Sequence, residues 1–449
     1  MTGFGILGTT VHTPSCGELE IQHDALLQVN EKGDISAVTS PGDANFDSSL
    51  QALRKSGALV ELSNSQYLFP GLVDTHIHAP QWPQLGKALH LPLDQWLQQC
   101  TFPLEARYAD VEFAQRIYSS LVESLLANGT TTALYFATIH LEATKKLVDA
   151  CLEKGQRALV GKVAMDNPAE CPDFYRDEST AAGLDDTLKL INYTRNLPGN
   201  EAGRVLPVVT PRFIPSCSDE MLAGLGQIAS DHDCHVQTHC SESDWQHNYV
   251  MERHGCRDTN SLENFNLLTD KTVPDHFHIN DADMKVIRNR QSGIAHCPLS
   301  NYYFSNAVFP ARRALDMGLK VGLGTDISGG PNPSLLHNCA MAVTSSRALE
   351  EGVDASLAAS ERGVAGSRID FREALWMATA GGGQVLDMKI GLFKPGYAMD
   401  AFVVDTSTTE SNLLVWDDID DDEDIVQKII YNAHRSNITS VWVQGNRVK

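Results

Sequence analysis

"PGLVDTHIHAPQ", residues 70–81, ends an apolar run with two histidines one residue apart. Alternate side chains of a β-strand share a face, so His76 and His78 point the same way. Two neutral imidazoles so placed can hold one metal ion, whereas two polar rings in a core would each need a hydrogen-bond partner. A lone HxH reads equally well as a satisfied core histidine beside one at a strand end. The rest of the chain has to decide.

Outward from this stretch, residues 70–384 alternate apolar strand-like pieces with longer amphipathic ones. "FAQRIYSSLVESLLANG" leads to "TTTALYFATI", and "ATKKLVDACLEKG" to "QRALVGKVAM". "LPVVTPRF", "HVQTHC", "SGIAHCP" and "LKVGLGTDIS" follow, each beside helical sequence. Such alternation over some three hundred residues predicts a parallel α/β fold, though spacing alone does not separate a closed barrel from an open sheet. Residues 1–69 read as short strands, and residues 385–449 return to them in "IGLFKPGYAMDAFVVDT" and "ITSVWVQGNRV". We therefore expect a small β domain composed of 1–69 and 385–449, split by a catalytic unit over 70–384.

The 449 residues suit a barrel of about 250 residues with additions, and 42% apolar content supplies an ordinary core. No run approaches the ~18 to 20 apolar residues of a membrane helix. "MTGFGILGTTVHTPSCGELEIQ" has no basic start, clean apolar stretch or small-residue cleavage pattern, so a cytoplasmic protein is expected. Ten scattered cysteines without a CxxC imply reduced thiols, with neither a disulfide framework nor a thiolate zinc site. A net charge of −22 repels phosphate backbones, which argues against nucleic acid as a partner. The acidic run "DDIDDDED" at 417–424 reads as a solvated loop or helix start.

Polar residues recur at the C-terminal ends of the predicted strands. His76 and His78 close "GLVDTHIH"; His239 ends "HVQTHC", with Glu242 three positions later; His276 lies in "KTVPDHFH"; Asp326 ends "KVGLGTD". In a barrel these ends converge on one mouth. Three histidines and a carboxylate suit Zn²⁺ or Fe²⁺. Each residue alone has a plainer reading, Asp326 as a helix cap for instance, but their joint placement at strand ends favours a site.

The order HxH, His-x-x-Glu, His, Asp resembles the amidohydrolase superfamily in its single-metal deaminase branch. Within it, "HAPQ", "TFPLE" and "TPRF" are similar to segments of the guanine deaminase family, and "HCSES", "SGIAHCPLSN" and "VGLGTD" follow in the same order. The resemblance spans about residues 60–330 and implies a (β/α)₈ TIM barrel of amidohydrolase type with a small β domain from both chain ends. It makes His76, His78, His239 and Asp326 ligands of one Zn²⁺ (or Fe²⁺), Glu242 the proton shuttle and His276 a stabiliser of the developing oxygen. It assigns Gln81, Arg212 and Phe213 to a purine substrate, and implies a homodimer. The family's alanine-histidine-glycine is replaced here by "PDHFHIND", so His278 competes with His276 for the catalytic position. "PNPSLL" at 331–336 also departs from the family, in a segment expected near the ring pocket.

The implied reaction is hydrolysis of guanine to xanthine and ammonia. A pterin or 8-oxoguanine deaminase is the nearest alternative, and a metal-free scaffold a remoter one. "HLE" at 140–142 resembles half of another zinc-deaminase motif, but without its cysteine pair it reads as a strand-to-helix turn. "GGG" at 381–383 is no phosphate loop, since neither GxxxxGKS/T nor GxGxxG surrounds it. Cys240 and Cys297 are expected in core packing, and His296 and Asn301 as supports of the mouth.

Overall fold

The computed structural model describes residues 3–276, 279–305 and 307–449, and of His276 and Ser305 only the backbone. Eight parallel strands run β1 Leu72–His78, β2 Thr130–Phe136, β3 Arg157–Gly161, β4 Val205–Pro211, β5 His235–Cys240, β6 Thr272–His276, β7 Gly293–His296 and β8 Lys320–Leu323. They lie side by side in chain order from β1 to β8. The ring is brought round where β8 meets β1: Asp326 N–H donates to the His76 carbonyl at 2.9 Å, and His78 N–H to that of Ile327 at 3.1 Å. Every residue of β1 and β2 is buried, as strands covered on both faces require.

Between strands the chain forms helices with one apolar stripe. Over Val111–Ala127 the buried face is carried by Phe113, Tyr118, Leu121, Val122 and Leu125, and Asp110 caps the helix by accepting from the amides of Glu112 and Phe113. Helix Leu141–Lys154 stops at Gly155, whose φ of 77° is the left-handed cap that glycine permits. Val73, Leu134, Leu159, Val208, Val273 and Ala295, one from each of six barrel strands, join Val385 and Leu386 in one buried cluster. The "GGG" stretch is helical: a Cβ on Gly382 would lie 2.7 Å from that of Val73, so glycine lets this helix press on β1.

Both chain ends build a second sheet. Its order runs 446–447, 438–443, 401–405, 66–70, 4–12, 20–29, 35–39, with 59–61 on the side of 4–12. The chain passes from this sheet to β1 at Gly71, where a Cβ would collide with the Thr131 hydroxyl at 2.0 Å. One helix within the first 69 residues departs from the all-strand expectation. Phe46–Ser56 is α-helical because Phe46 and Leu50 recur at i, i+4 and pack with Leu26, Leu53 and Leu59. The acidic run begins a helix, Asp422–Asn432, with Asp421 and Asp424 forming a capping box. Negative charge there faces the positive end of the helix dipole. All ten cysteines are free thiols, and among the described residues no helix is long and apolar enough to cross a membrane.

Candidate metal and active site

The loop ends of β1, β4, β5 and β8 bring the expected residues together. His78 Nε2 lies 2.9 Å from His239 Nε2. Asp326 Oδ1 lies 3.4 Å from His76 Nε2 and 3.5 Å from His78 Nε2. Donors around a tetrahedral ion with bonds of ~2.0 to 2.1 Å sit ~3.3 to 3.4 Å apart. His76, His78 and His239 form one group able to hold a metal, and His76, Asp275 and Asp326 a second.

Tautomers and charge agree with this. The carbonyl of Arg212 faces His239 Nδ1 at 2.7 Å, so the proton sits on Nδ1 and Nε2 carries its lone pair into the cluster. Burial first, then the nearby His76 ring and Arg212 guanidinium, hold His78 and His239 well below the usual imidazole range, hence neutral. Burial also opposes charge on His76, but Asp275, Asp326 and Glu242 outweigh it and lift its pKa to about 9. Two neutral rings with Nε2 atoms face to face, beside carboxylates, fit a divalent cation.

Local folding fixes these groups. Asp74 of β1 accepts from the hydroxyl and amide of Thr325 at 2.6 and 3.0 Å, tying the "GTD" turn to the HxH strand. Asp326 itself adopts a φ of 46°. After β5, Ser241 turns left-handed with a φ of 54°, and Glu242 follows buried in the cavity. Glu242 N–H donates to Gln246 Oε1 at 3.0 Å, while Gln246 Nε2 donates to the His239 carbonyl and to Asp258. Burial, with Asp326 and Asp275 nearby, raises the Glu242 carboxyl to about 8.

Gln81, Arg212, Phe213, Glu242 and Asp326 line one cavity together with His78 and His239. A wider cavity of about 700 Å³ opens outside it, between Phe213, Trp245 and Phe304. Glu105, from "TFPLE", sits fully buried behind the inner wall. Arg212 donates to both its oxygens, at 2.7 and 3.3 Å, and Gln81 Nε2 donates to it at 3.1 Å. The Gln81 oxygen accepts from Ser328 N–H at 3.0 Å. Gln81 therefore meets the cavity with its carboxamide already oriented, and its remaining N–H is available to a ligand.

Some expectations fall elsewhere. The backbone of His276 closes β6, but its side chain and all of His278 lie outside the described residues. His296 does not support the mouth: its ring packs on Phe309 with centroids 5.0 Å apart, and burial lowers its pKa to about 3. Its side chain faces the helix layer, while the Cys297 thiol turns inward beside His76 and Gly324. "PNPSLL" leads into helix Leu335–Glu351, and the wall residues nearest it are Asp326 and Gly329. Glu105, Asp275 and Asp74 were missed by residue-level reading. Glu105 had a signal in "TFPLE", and Asp275 in the altered "PDH".

The amidohydrolase family model matches residues 67–448, and the chain belongs to that family. Its relatives are more particular. It is 36% identical over 448 residues to the probable guanine deaminase of Schizosaccharomyces pombe, covering 98% of this chain and 82% of that one. Human guanine deaminase is 35% identical over 451 residues, covering 98% and 95%. The crystal structure of guanine deaminase from C. acetobutylicum, with guanine bound in its active site, superposes with a TM-score of 0.88 at 30% identity, over 99% of this chain and 100% of that one.

Proposed function

We propose that the protein hydrolyses guanine to xanthine and ammonia. The observation that carries this is the convergence of three imidazole Nε2 atoms and Asp326 beside one cavity lined by Glu242 and Arg212, with Glu105 paired to Arg212 behind its wall. The full-length likeness to guanine deaminases supports guanine as the ring.

His76, His78, His239 and Asp326 would hold the cation, which we take to be Zn²⁺, with Fe²⁺ admitted by the same donors. When bound, such a cation makes water nucleophilic near neutral pH. Glu242 takes one proton of the attacking water onto a carboxylate oxygen and delivers it to a ring nitrogen; it then takes the second proton, from the hydroxyl now on the attacked carbon, and gives it to the departing amine. Its burial suits both directions of transfer, because a carboxyl raised toward neutral pH both accepts and returns a proton. His276 is assigned to the oxygen that develops on the attacked carbon. Arg212 donates to the purine carbonyl, Gln81 reads the ring edge and Phe213 covers a face. Glu105 holds Arg212 and Gln81 in register for this.

We also take residues 1–69 with 385–449 as one β unit beside the catalytic 70–384, and the enzyme as a cytoplasmic homodimer, which sedimentation checks. Ammonia release from guanine, 8-oxoguanine, pterin and adenine tests the substrate. Guanine should exceed adenine in kcat/KM by at least ~10³, the discrimination that hydrogen-bond pairing in a buried site supplies. A preference for pterin or 8-oxoguanine overturns the choice of ring, and no ammonia from any of the four overturns the activity.

A further inference from the structure

We propose that Asp275 is a second carboxylate ligand of the cation, so that the donor set is three imidazoles and two carboxylates. This rests on the metal site proposed above. Asp275 sits on β6 in register with His239 of β5, and adjacent in-register residues of a parallel sheet face the same way. It is fully buried. Its Oδ2 lies 3.9 Å from His76 Nε2, the same nitrogen that Asp326 Oδ1 approaches at 3.4 Å. Both spacings fall within the ~4.1 Å that separates opposite donors on one ion with bonds of ~2.05 Å. A cation seated against His76 Nε2 is therefore within reach of both carboxylates, and His76 is the shared vertex of the two metal-holding groups.

Charge gives a second argument. Three buried acids, Asp275, Asp326 and Glu242, share this space with the His76 ring. Asp74, the other acid nearby, is satisfied by Thr325. Burial penalises charge on each of these acids, and a divalent ion seated beside His76 would favour the ionised forms of Asp275 and Asp326 together. This chain departs from the family's alanine-histidine-glycine with "PDHFHIND", and the oxygen donor that Asp275 adds makes the site harder and more anionic.

The test uses full-length protein stripped by a chelator and reloaded with Co²⁺, whose visible bands report coordination. Asp275→Asn keeps the shape and removes the charge, and Asp275→Ala removes both oxygen donors. Both should change the position and intensity of the Co²⁺ bands while far-UV circular dichroism stays the same, and Zn²⁺ should bind at least about 10-fold more weakly. Bands superposing on those of the wild type overturn the proposal even if affinity falls, because Asp275 would then act only by orienting His76. A wild type that takes up neither Co²⁺ nor Zn²⁺ overturns the metal site itself, and this proposal with it.

Discussion

His239 donates its Nδ1 proton to the main-chain carbonyl of Arg212 at 2.7 Å, so one residue serves both halves of the site. The backbone of Arg212 sets the tautomer of a metal donor, and its guanidinium pairs with Glu105 in the cavity wall. Replacing the side chain leaves the carbonyl in place. Arg212→Ala should therefore retain metal, yet lose about 2 to 3 kcal/mol in kcat/KM with the loss of a charge-assisted hydrogen bond. Glu105 would be left buried without its partner, at a cost of about 3 to 5 kcal/mol in stability. Metal content, steady-state kinetics and denaturant unfolding separate the three effects. Loss of metal in this variant would contradict the division of labour.

Glu242→Gln should keep fold and metal while turnover falls ~10²-fold or more, because an amide does not shuttle protons. Gln246 holds the backbone amide of residue 242, so the substitution leaves the loop anchored. Retention of more than about a tenth of wild-type kcat, against that ~10²-fold expectation, would assign the proton transfer elsewhere.

The parts of the site that were legible in the sequence are those fixed by strand periodicity. His76 and His78 share a face because they are two apart, and His239 and Asp326 lie near strand ends where a barrel gathers them. "TFPLE" marked the segment of Glu105, but its pairing was not legible, because it comes from helix Phe102–Ala106 and meets Arg212 across 107 residues of sequence. His296 misled for a local reason: beside Cys297 and Pro298 it reads as part of a polar mouth, yet the alternation of β7 turns it outward onto Phe309. The helix Phe46–Ser56 was overlooked among strands because its stripe is only Phe46, Leu50 and Leu53 wide.

Metal removal should destabilise the protein. Any ligand that binds only the folded state adds RT ln(1 + [L]/Kd), about 2.7 kcal/mol at 100 times Kd. Chelated protein should unfold at lower temperature in calorimetry, and about one equivalent of Zn²⁺ per chain should restore it. His78→Ala should abolish that response, since the ring closes the gap between His239 and Asp326. An unchanged transition after complete chelation would contradict a structural contribution from the ion.

Asp258 sets a pH dependence that stability measurements should resolve. Its Oδ2 accepts from Ser241 N–H and from Gln246 Nε2, the groups that position Glu242. Burial raises its pKa from 3.8 to about 7, with Ser241 and Gln246 opposing the shift. Between these values the folded state holds a proton that the unfolded chain has released, so stability falls as pH rises through the interval. The contribution is absent below about pH 4 and complete above about pH 7, where it is of the order of 4 kcal/mol. Asp258→Asn still offers an oxygen to Ser241 and Gln246 but does not titrate. Its unfolding free energy, measured by denaturant from pH 4 to 8, should gain on the wild type across the interval and then run parallel to it. Curves that stay parallel throughout would mean that Asp258 is already ionised in the folded protein at pH 4.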